Sequence, residues 1–325
     1  MSDFRRPKTR SLAAFSFAIL LLAGCRGQYA DGGAADKAGE FSAARAYDHV
    51  KKLVALGPHP SGSEAIKKAQ QYIESELKSY GLKITEDNFE GQTPHGAIPM
   101  KNIIAELRGD KPEAVLITGH YDTKLQPDFV GANDGGSSAA AVLETARALS
   151  KSKPEYTLWF VFFDGEEAVV DWSAMGGMDN TYGSRHLAAK LKADRSLSQV
   201  KALVLFDMIG DKDLDIKREG ESTSWMVDAI WKTARALGYQ KYFLDAEQYI
   251  SDDHLPFRDA GVPVVDLIDF NYGPHHSYWH TNLDTLDKIS GESIKIVGDV
   301  VIRALPEIFK HLDSEPRTSA KPGVS

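Results

Sequence analysis

The feature that most constrains the fold is a set of short, continuous apolar runs that alternate with segments of helical periodicity. These runs are Ala114–Thr118, Tyr156–Phe163 and Ala202–Phe206, and each has the length of a single strand. A strand that is apolar at nearly every position is covered on both faces, as in a parallel sheet between layers of helices. The alternation therefore predicts an α/β sandwich with a mostly parallel sheet.

The segments around these runs complete the predicted pattern. Two further strands are predicted at Asn102–Leu107 and Val262–Ile268. Apolar residues recur at helical spacing in five other segments, which are Ala43–Leu56, Ser63–Tyr80, Ser137–Leu149, Thr223–Leu237 and Ile289–His311. We find no repeat and no linker between Ala43 and His311, so this region is predicted to be one domain.

Composition and charge limit the function classes. The chain has 325 residues with 38 Lys and Arg against 46 Asp and Glu, which gives a formal net charge of −8. This acidic balance argues against general affinity for nucleic acid or for an anionic membrane surface. The only cysteine is Cys25, so an internal disulfide is excluded and stability must come from packing.

The N-terminus is typical of an export signal. Four basic residues up to Arg10 precede the apolar run Ser11–Ala23, which is too short to span a bilayer as a mature helix. The run ends in Leu22-Ala23-Gly24-Cys25, which resembles the bacterial lipoprotein cleavage box. We therefore predict a lipoprotein signal peptide at 1–24, with Cys25 as the lipidated first residue and a location outside the cytoplasm, anchored to a bacterial membrane. A plain signal peptide or a short core helix is the alternative.

The remaining terminal segments have no apolar periodicity. Gly27–Glu40 is rich in Gly and Ala, and residues 25–42 are interpreted as a flexible tether. The catalytic domain is assigned to residues 43–313. Residues 314–325 contain Pro316 and Pro322 and are predicted to be a disordered tail.

Polar residues follow three of the predicted strands at the points where those strands end. His120 and Asp122 follow the first apolar run, Glu166-Glu167 follow the second, and Asp207 follows the third. In an open α/β sheet the carboxyl ends of the strands form the ligand crevice. The side chains are therefore expected to meet in one site.

Other polar candidates lie before a helix and late in the chain. Asp134 precedes the Ala-rich helix, and His280 follows Trp279. Taken singly, Asp134 could be an N-cap and Glu166-Glu167 the solvated first turn of a helix. Taken together, carboxylates and imidazoles are the nitrogen and oxygen ligands that zinc prefers. A doubled Glu also supplies one carboxylate for a metal and one for proton transfer.

The order of these residues resembles that of the zinc-dependent aminopeptidase clan. Within the clan, several strings are similar to glutaminyl-peptide cyclotransferases, which convert an N-terminal glutamine to pyroglutamate. These strings are GHYDTK, FFDGEEA followed by Trp172, TYGSRHLA, SDDHLPF and YWHT. The resemblance implies a three-layer α/β/α sandwich with a mixed, mainly parallel sheet, and it covers roughly Ala43 to His311.

The resemblance also implies roles for individual residues. One zinc ion would be held by Asp134, Glu167 and His280, while Glu166 would shuttle the proton. Asp207 and Asp253 would bind the amine and the departing ammonia, and Trp172 and Trp279 would wall the substrate pocket. The peptide bond after Asp134 is expected to be cis, as in related enzymes. Substrates would be the N-termini of peptides or proteins, no nucleic acid partner is expected, and the protein is predicted to be a monomer.

A second interpretation stays open at this point. His120 and Asp207 are candidates for a second metal, and a site with two zinc ions would be that of an aminopeptidase that hydrolyses N-terminal residues. A non-catalytic binding protein with the same fold is a third interpretation, which loss of the metal ligands or of the Glu pair would favour. Neither loss is seen.

Overall fold

The computed structural model describes residues 39–314. The predicted signal peptide, Cys25 and nearly all of the predicted tail lie outside these residues. The helices are α1 Ala43–Val54, α2 Glu64–Ser79, α3 Gly136–Leu149, α4 Ala174–Gly177, α5 Tyr182–Ala193, α6 Ser224–Ala236, α7 Leu255–Asp259 and α8 Gly291–Ser314. The strands are β1 Lys83–Thr93, β2 Gly96–Leu107, β3 Lys111–His120, β4 Tyr156–Phe163, β5 Val200–Asp207, β6 Ile216–Glu219, β7 Phe243–Gln248 and β8 Val264–Ile268.

The central sheet is mixed and mainly parallel. Six strands lie in the order β1-β2-β4-β3-β5-β8. The four strands β4, β3, β5 and β8 are parallel to their neighbours in that set, while β1 and β2 form an antiparallel hairpin whose second strand pairs antiparallel with β4. A separate parallel pair is formed by β6 and β7.

Both faces of the sheet are covered by helices, because the strands are apolar at nearly every position. In β3, Val115 and Ile117 pack into a large core that includes side chains of α1, α2, α3, α6 and α8. The alternate residues Ala114 and Leu116 face a second core with side chains of α5 and α7. Successive side chains of a strand point to opposite faces, so one run serves both layers. The three-layer α/β/α fold is confirmed.

The predicted elements agree with the structure to within a few residues at each end. The α2 helix, for example, begins after Ser63, whose hydroxyl caps it by accepting a hydrogen bond from the Ile66 amide at 3.1 Å. Six elements were not predicted, and these are β1, β6, β7, α4, α5 and α7. The β1 strand has few buried residues and many polar ones, so it has no apolar periodicity to identify it.

Between residues 39 and 314, no helix combines the length and the apolar character that a membrane span requires. The long helix α8 is amphipathic, and its apolar residues pack against α1, α3 and α6.

Candidate active site and metal centre

The predicted site residues meet at one edge of the sheet. His120 is the last residue of β3, Asp207 is the last residue of β5, and Glu166-Glu167 lie in the turn that follows β4. These three strands are parallel neighbours, so their carboxyl ends lie side by side. Asp134 joins them from the loop before α3, and His280 joins them from the loop after β8.

One group of three ligand-type side chains is formed by Asp134, Glu167 and His280. The Nε2 atom of His280 lies 3.4 Å from Oδ2 of Asp134 and 3.3 Å from Oε2 of Glu167. Among the described residues, Oδ2 of Asp134 and Oε1 of Glu167 are buried and have no hydrogen-bond partner. Two carboxylates and an imidazole with unused lone pairs directed at one point are a donor set that fits zinc.

A second group shares Asp134 with the first. The Nε2 atom of His120 lies 3.3 Å from Oδ1 of Asp134 and 3.2 Å from Oδ1 of Asp207. Asp134 therefore directs one carboxylate oxygen to each group. The residues present could hold either one metal at the first group or one metal at each group, with Asp134 shared between them.

The turn that carries the Glu pair is held by Asp122. Its carboxylate accepts hydrogen bonds from the amides of Glu166, at 3.2 Å, and of Glu167, at 3.3 Å. With its backbone fixed, Glu167 joins the first ligand group, whereas Oε2 of Glu166 lies 3.9 Å from Nδ1 of His120. The two neighbouring carboxylates therefore have different surroundings.

Asp284 holds the loop of Asp134 in a similar way, and the sequence analysis did not identify it. Its carboxylate accepts hydrogen bonds from the amides of Asn133, at 2.8 Å, and Asp134, at 3.0 Å. The hydroxyl of Tyr272 donates to Asp284 at 2.6 Å. An Asp in a polar segment after His280 carries no signal of its own, because its partners are amides about 150 residues away in the sequence.

The environment of Glu166 favours its protonated form. Burial raises the pKa of Glu166 well above its usual range, and the carboxylates of Asp252, Glu167 and Asp207 raise it further, while His120 opposes this shift. A carboxyl group of this kind can both accept and return a proton.

The site opens into a cavity of about 470 Å³ with aromatic walls. Trp172 and Trp279 both line the cavity, as the sequence predicts. The Trp279 ring is stacked on His280, with centroids 4.1 Å apart, and its edge contacts Phe270. The indole Nε1 of Trp172 is buried without a hydrogen-bond partner among the described residues. His280 has a φ of 52°, a left-handed conformation that is uncommon for a residue with a side chain.

The structure changes the choice between the two adjacent aspartates. Asp252 lines the cavity, whereas Asp253, which the sequence analysis selected, does not. The carboxylate of Asp253 instead accepts a hydrogen bond from the hydroxyl of Ser184 at 2.5 Å. Burial, then Asp207 and Asp253, raise the pKa of Asp252 well above its usual range. Adjacent residues point in different directions, and the sequence alone does not determine which one faces the site.

Next to Asp252 in the sequence, a buried polar cluster joins three elements. His254, at the start of α7, lies between Glu219 at the end of β6 and Asp266 in β8. Its Nε2 atom is 3.3 Å from Glu219 and its Nδ1 atom is 3.6 Å from Asp266. All three side chains are buried completely or nearly so. His254 therefore lies between side chains of two strands.

The expectation of a cis peptide bond after Asp134 is wrong. No peptide bond between residues 39 and 314 is cis. The chain turns at Gly135 with a φ of 81°, and a Cβ atom there would lie 2.6 Å from the carbonyl oxygen of Asp122. Glycine tolerates the positive φ and has no Cβ atom to collide with Asp122, so the chain turns here with a trans peptide bond.

Comparison with known proteins places the chain in a family. The sequence profile described as peptidase family M28 matches residues 102–305. This stretch includes every residue of the two ligand groups. The chain belongs to peptidase family M28.

Relatives within family M28 are named as glutaminyl cyclases. The chain is 33% identical over 255 residues to glutaminyl-peptide cyclotransferase of Bos taurus, which covers 66% of this chain and 69% of the relative. It superimposes on the crystal structure of an Acidobacteriales bacterium glutaminyl cyclase with a TM-score of 0.80 and 39% identity, covering 86% of this chain and 98% of that one. These two similarities place it in the glutaminyl cyclase branch of the family.

A peptidase is also among the structural neighbours. A Zn-dependent exopeptidase of Parabacteroides distasonis matches with a TM-score of 0.71 and 29% identity, covering 82% of this chain and 98% of that one. Proteins named as cyclases and proteins named as peptidases therefore share this fold. For this chain, the comparisons support the cyclase branch better than a peptidase.

Proposed function

We propose that this protein is a zinc-dependent glutaminyl-peptide cyclotransferase, which converts an N-terminal glutamine to pyroglutamate and releases ammonia. The observation that carries the proposal is the pairing of the Asp134–Glu167–His280 ligand group with the separate, buried carboxyl group of Glu166, which lines a cavity with aromatic walls. The similarity to named cyclases supports the same activity.

Asp134, Glu167 and His280 would hold the zinc ion. When bound, zinc supplies Lewis-acid polarisation of the γ-carboxamide and stabilises the charge that develops on its oxygen. The remaining tasks belong to residues of the chain, which must place the α-amine next to that carbon, move a proton and exclude water.

The reaction forms a bond between the α-amine nitrogen and the carbonyl carbon of the γ-carboxamide, Cδ, and breaks the bond from that carbon to the amide nitrogen. Glu166 accepts a proton from the attacking amine and later donates one to the departing ammonia, so no proton is lost overall. Asp207 and Asp252 lie next to Glu166 and accept hydrogen bonds from the amine and from ammonia. Asp252 replaces Asp253 in this role because Asp252 lines the cavity.

Trp172 and Trp279 exclude water from the reacting carbon. Exclusion matters because attack by water on the same carbon would be deamidation instead of cyclisation. The unpaired indole N–H of Trp172 is also available to donate a hydrogen bond to a substrate oxygen.

The activity is tested with two substrates and detection by mass. The purified protein is incubated with a Gln-initiated peptide and, separately, with a leucine-aminoacyl chromogenic substrate. Loss of ammonia without chain cleavage supports the cyclotransferase. Release of the first residue would instead support the aminopeptidase, in which His120 and Asp207 take part in holding a second zinc.

We also propose that the protein is anchored to a bacterial membrane through Cys25, after removal of residues 1–24. Support comes from the sequence alone, since this region lies outside the described residues. Expression of the full chain and of its Cys25→Ser variant, followed by membrane fractionation, tests the anchor. Equal membrane association of both proteins would contradict it.

A further inference from the structure

The segment between the Glu pair and α5 supplies one wall of the cavity. Val170, Asp171 and Trp172 from this segment line the cavity. Every residue from 169 to 178 is at least partly exposed, and Met175 and Met178 are about half exposed. The wall therefore gains little from burial of apolar surface, and a segment of this kind keeps its position only through other contacts.

Asp179, at the end of this segment, holds the backbone of the wall. Its Oδ1 atom accepts a hydrogen bond from the amide of Val169 at 3.2 Å. Its Oδ2 atom accepts hydrogen bonds from the amides of Val170, at 2.7 Å, and Asp171, at 3.0 Å. These three amides belong to consecutive residues directly before Trp172. One side chain therefore fixes the stretch of backbone that leads into the cavity tryptophan.

The surroundings of Asp179 fit a carboxylate and no other group of the same shape. The hydroxyl of Tyr182 donates a fourth hydrogen bond to Oδ1 at 2.6 Å, and the side chain of Asp179 is completely buried. All four groups are donors, and the two oxygens of a carboxylate offer about four acceptor positions. An amide in its place would offer one oxygen and direct an NH2 group at other donors.

The turn after β4 is thus held by two carboxylates with separate partners. Asp122 accepts hydrogen bonds from the amides of Glu166 and Glu167, whereas Asp179 accepts them from the next three residues but one. The side chain of Asn180 adds a hydrogen bond to the carbonyl of Trp172 at 3.2 Å. The position of the Glu pair and the position of the wall therefore depend on different side chains.

We propose that Asp179 is a positioning residue for substrate binding, which acts through the backbone of residues 169–171 to hold Trp172 against the substrate. The inference rests on the proposed cyclotransferase function and adds the residue that sets the cavity wall. It also separates two tasks, because loss of Asp179 should loosen the wall while Asp122 keeps the Glu pair in place.

Hydrogen exchange tests the structural part without any substrate. Asp179→Asn keeps the shape of the side chain and removes acceptor positions for the amides of residues 169–171. We expect these amides to exchange at least about 10-fold faster in the variant, since they lose the partner that protects them. Amides of β4 should exchange as in the wild-type protein. Equal exchange of residues 169–171 in the two proteins would overturn the proposal.

Kinetics with a Gln-initiated peptide test the effect on binding. The wall contacts the substrate in the ground state and in the transition state alike, so its loss should be seen mainly in KM. We expect Asp179→Asn to raise KM about 10-fold, with kcat changed much less and zinc per chain equal to that of the wild-type protein. Loss of zinc, or a fall in kcat larger than the rise in KM, would assign Asp179 to the Glu pair instead and overturn the proposal.

A double-mutant cycle tests whether Asp179 acts through Trp172. If it does, Asp179→Asn should change kcat/KM by less than about two-fold in a protein that already carries Trp172→Ala, because coupled residues have non-additive effects. An undiminished effect in that background would show that Asp179 acts by another route.

The matched control is a buried carboxylate in another part of the fold. Asp87 of β1 is buried, and its partners are the side chains of Asn102, His186 and Lys190, none of which lines the cavity. Asp87→Asn should lower Tm and keep the wild-type KM. If Asp179→Asn changes KM no more than Asp87→Asn does, Asp179 supports the fold alone and does not position the wall.

The wild-type protein separates this inference from the function on which it rests. If it cyclises the peptide and Asp179→Asn has the same KM, the cyclotransferase function stands and the positioning role fails. If it does not cyclise a Gln-initiated peptide, the proposed function fails, and the role in binding that substrate fails with it.

Discussion

At the scale of single residues, the two neighbouring glutamates illustrate how position separates chemical roles. Asp122 fixes the backbone of both, yet Glu167 belongs to a ligand group and Glu166 does not. Glu166→Gln keeps the size of the side chain and removes the proton acceptor. We expect near-normal zinc content with kcat lowered by roughly 10²–10⁴.

The matched variant Glu167→Gln should lose zinc first and activity as a consequence, because a site with three protein ligands has no spare donor. Zinc per chain and kcat are measured for both proteins. If Glu166→Gln lost its zinc while Glu167→Gln retained it, the two roles would have to be exchanged.

The adjacent aspartates give a second prediction at this scale. Asp252→Asn should lower kcat for a Gln-initiated peptide by at least ten-fold, since loss of one group that assists proton transfer has effects of about 10²-fold or more. Asp253→Asn, whose side chain contacts Ser184 and not the cavity, should lower kcat much less. Steady-state kinetics of the two variants decide which of the two aspartates takes part in the reaction. A larger loss of kcat in Asp253→Asn would restore the assignment made from the sequence.

At the scale of elements, buried polar side chains connect the strands to the helices. His254 of the α7 N-terminus bridges Glu219 of β6 and Asp266 of β8. Removing one partner of a buried polar cluster leaves the other groups unsatisfied, which typically costs about 1–3 kcal/mol. We expect a loss of that order in the free energy of unfolding for His254→Ala, measured by urea denaturation.

The control for this prediction is an exposed ion pair. Asp228 lies 3.0 Å from Arg218 and its side chain is 71% exposed. Asp228→Ala should change the free energy of unfolding by no more than about 1 kcal/mol. An equally small effect of His254→Ala would mean that the buried cluster does not hold α7 to the two strands.

Asp164, in the turn after β4, makes the stability of this edge of the sheet depend on pH. It accepts hydrogen bonds from Ser61 and from the Lys101 amide, and burial, followed by the charge of Asp122, raises its pKa from 3.8 to about 7. The folded protein therefore keeps the proton up to about pH 7, whereas the unfolded chain releases it near pH 4. Stability from this group is complete below pH 4 and is lost as the pH rises through 7.

Urea unfolding at about pH 5 and about pH 8 tests this expectation. The wild-type protein should lose more stability between the two pH values than Asp164→Asn, which keeps the shape of the side chain and cannot ionise. Equal losses in the two proteins would show that Asp164 does not titrate in this range.

At the scale of the whole molecule, the ligand groups bring together the ends of β3 and β5, the turn after β4, the loop before α3 and the loop after β8. Without a metal, several buried carboxylates face one another there. Because only the folded chain brings these ligands together, a bound metal stabilises the folded state. We expect chelation of zinc to lower Tm and readdition of zinc to restore it, as measured by scanning calorimetry.

Asp134→Ala provides the reference for this measurement, since Asp134 belongs to both ligand groups. Its Tm should not respond to chelation. If chelation removes zinc and the Tm of the wild-type protein also stays unchanged, the metal contributes nothing to the stability of the folded state.

The sequence by itself determined the fold class and most of the site, because both follow from local patterns. Continuous apolar runs such as Tyr156–Phe163 indicate buried parallel strands, and parallel strands bring their carboxyl ends together. His120, Glu166 and Asp207 could therefore be placed in one site from their positions after such runs.

Only the tertiary structure decided which of two neighbours faces the cavity, and which distant groups support it. Asp252 and Asp253 have the same chemistry, and their orientation depends on how the segment before α7 packs. Asp284 contacts amides that are remote in sequence. Contacts between residues far apart in the chain leave no periodic signal in the sequence, so the folded structure is needed to reveal them.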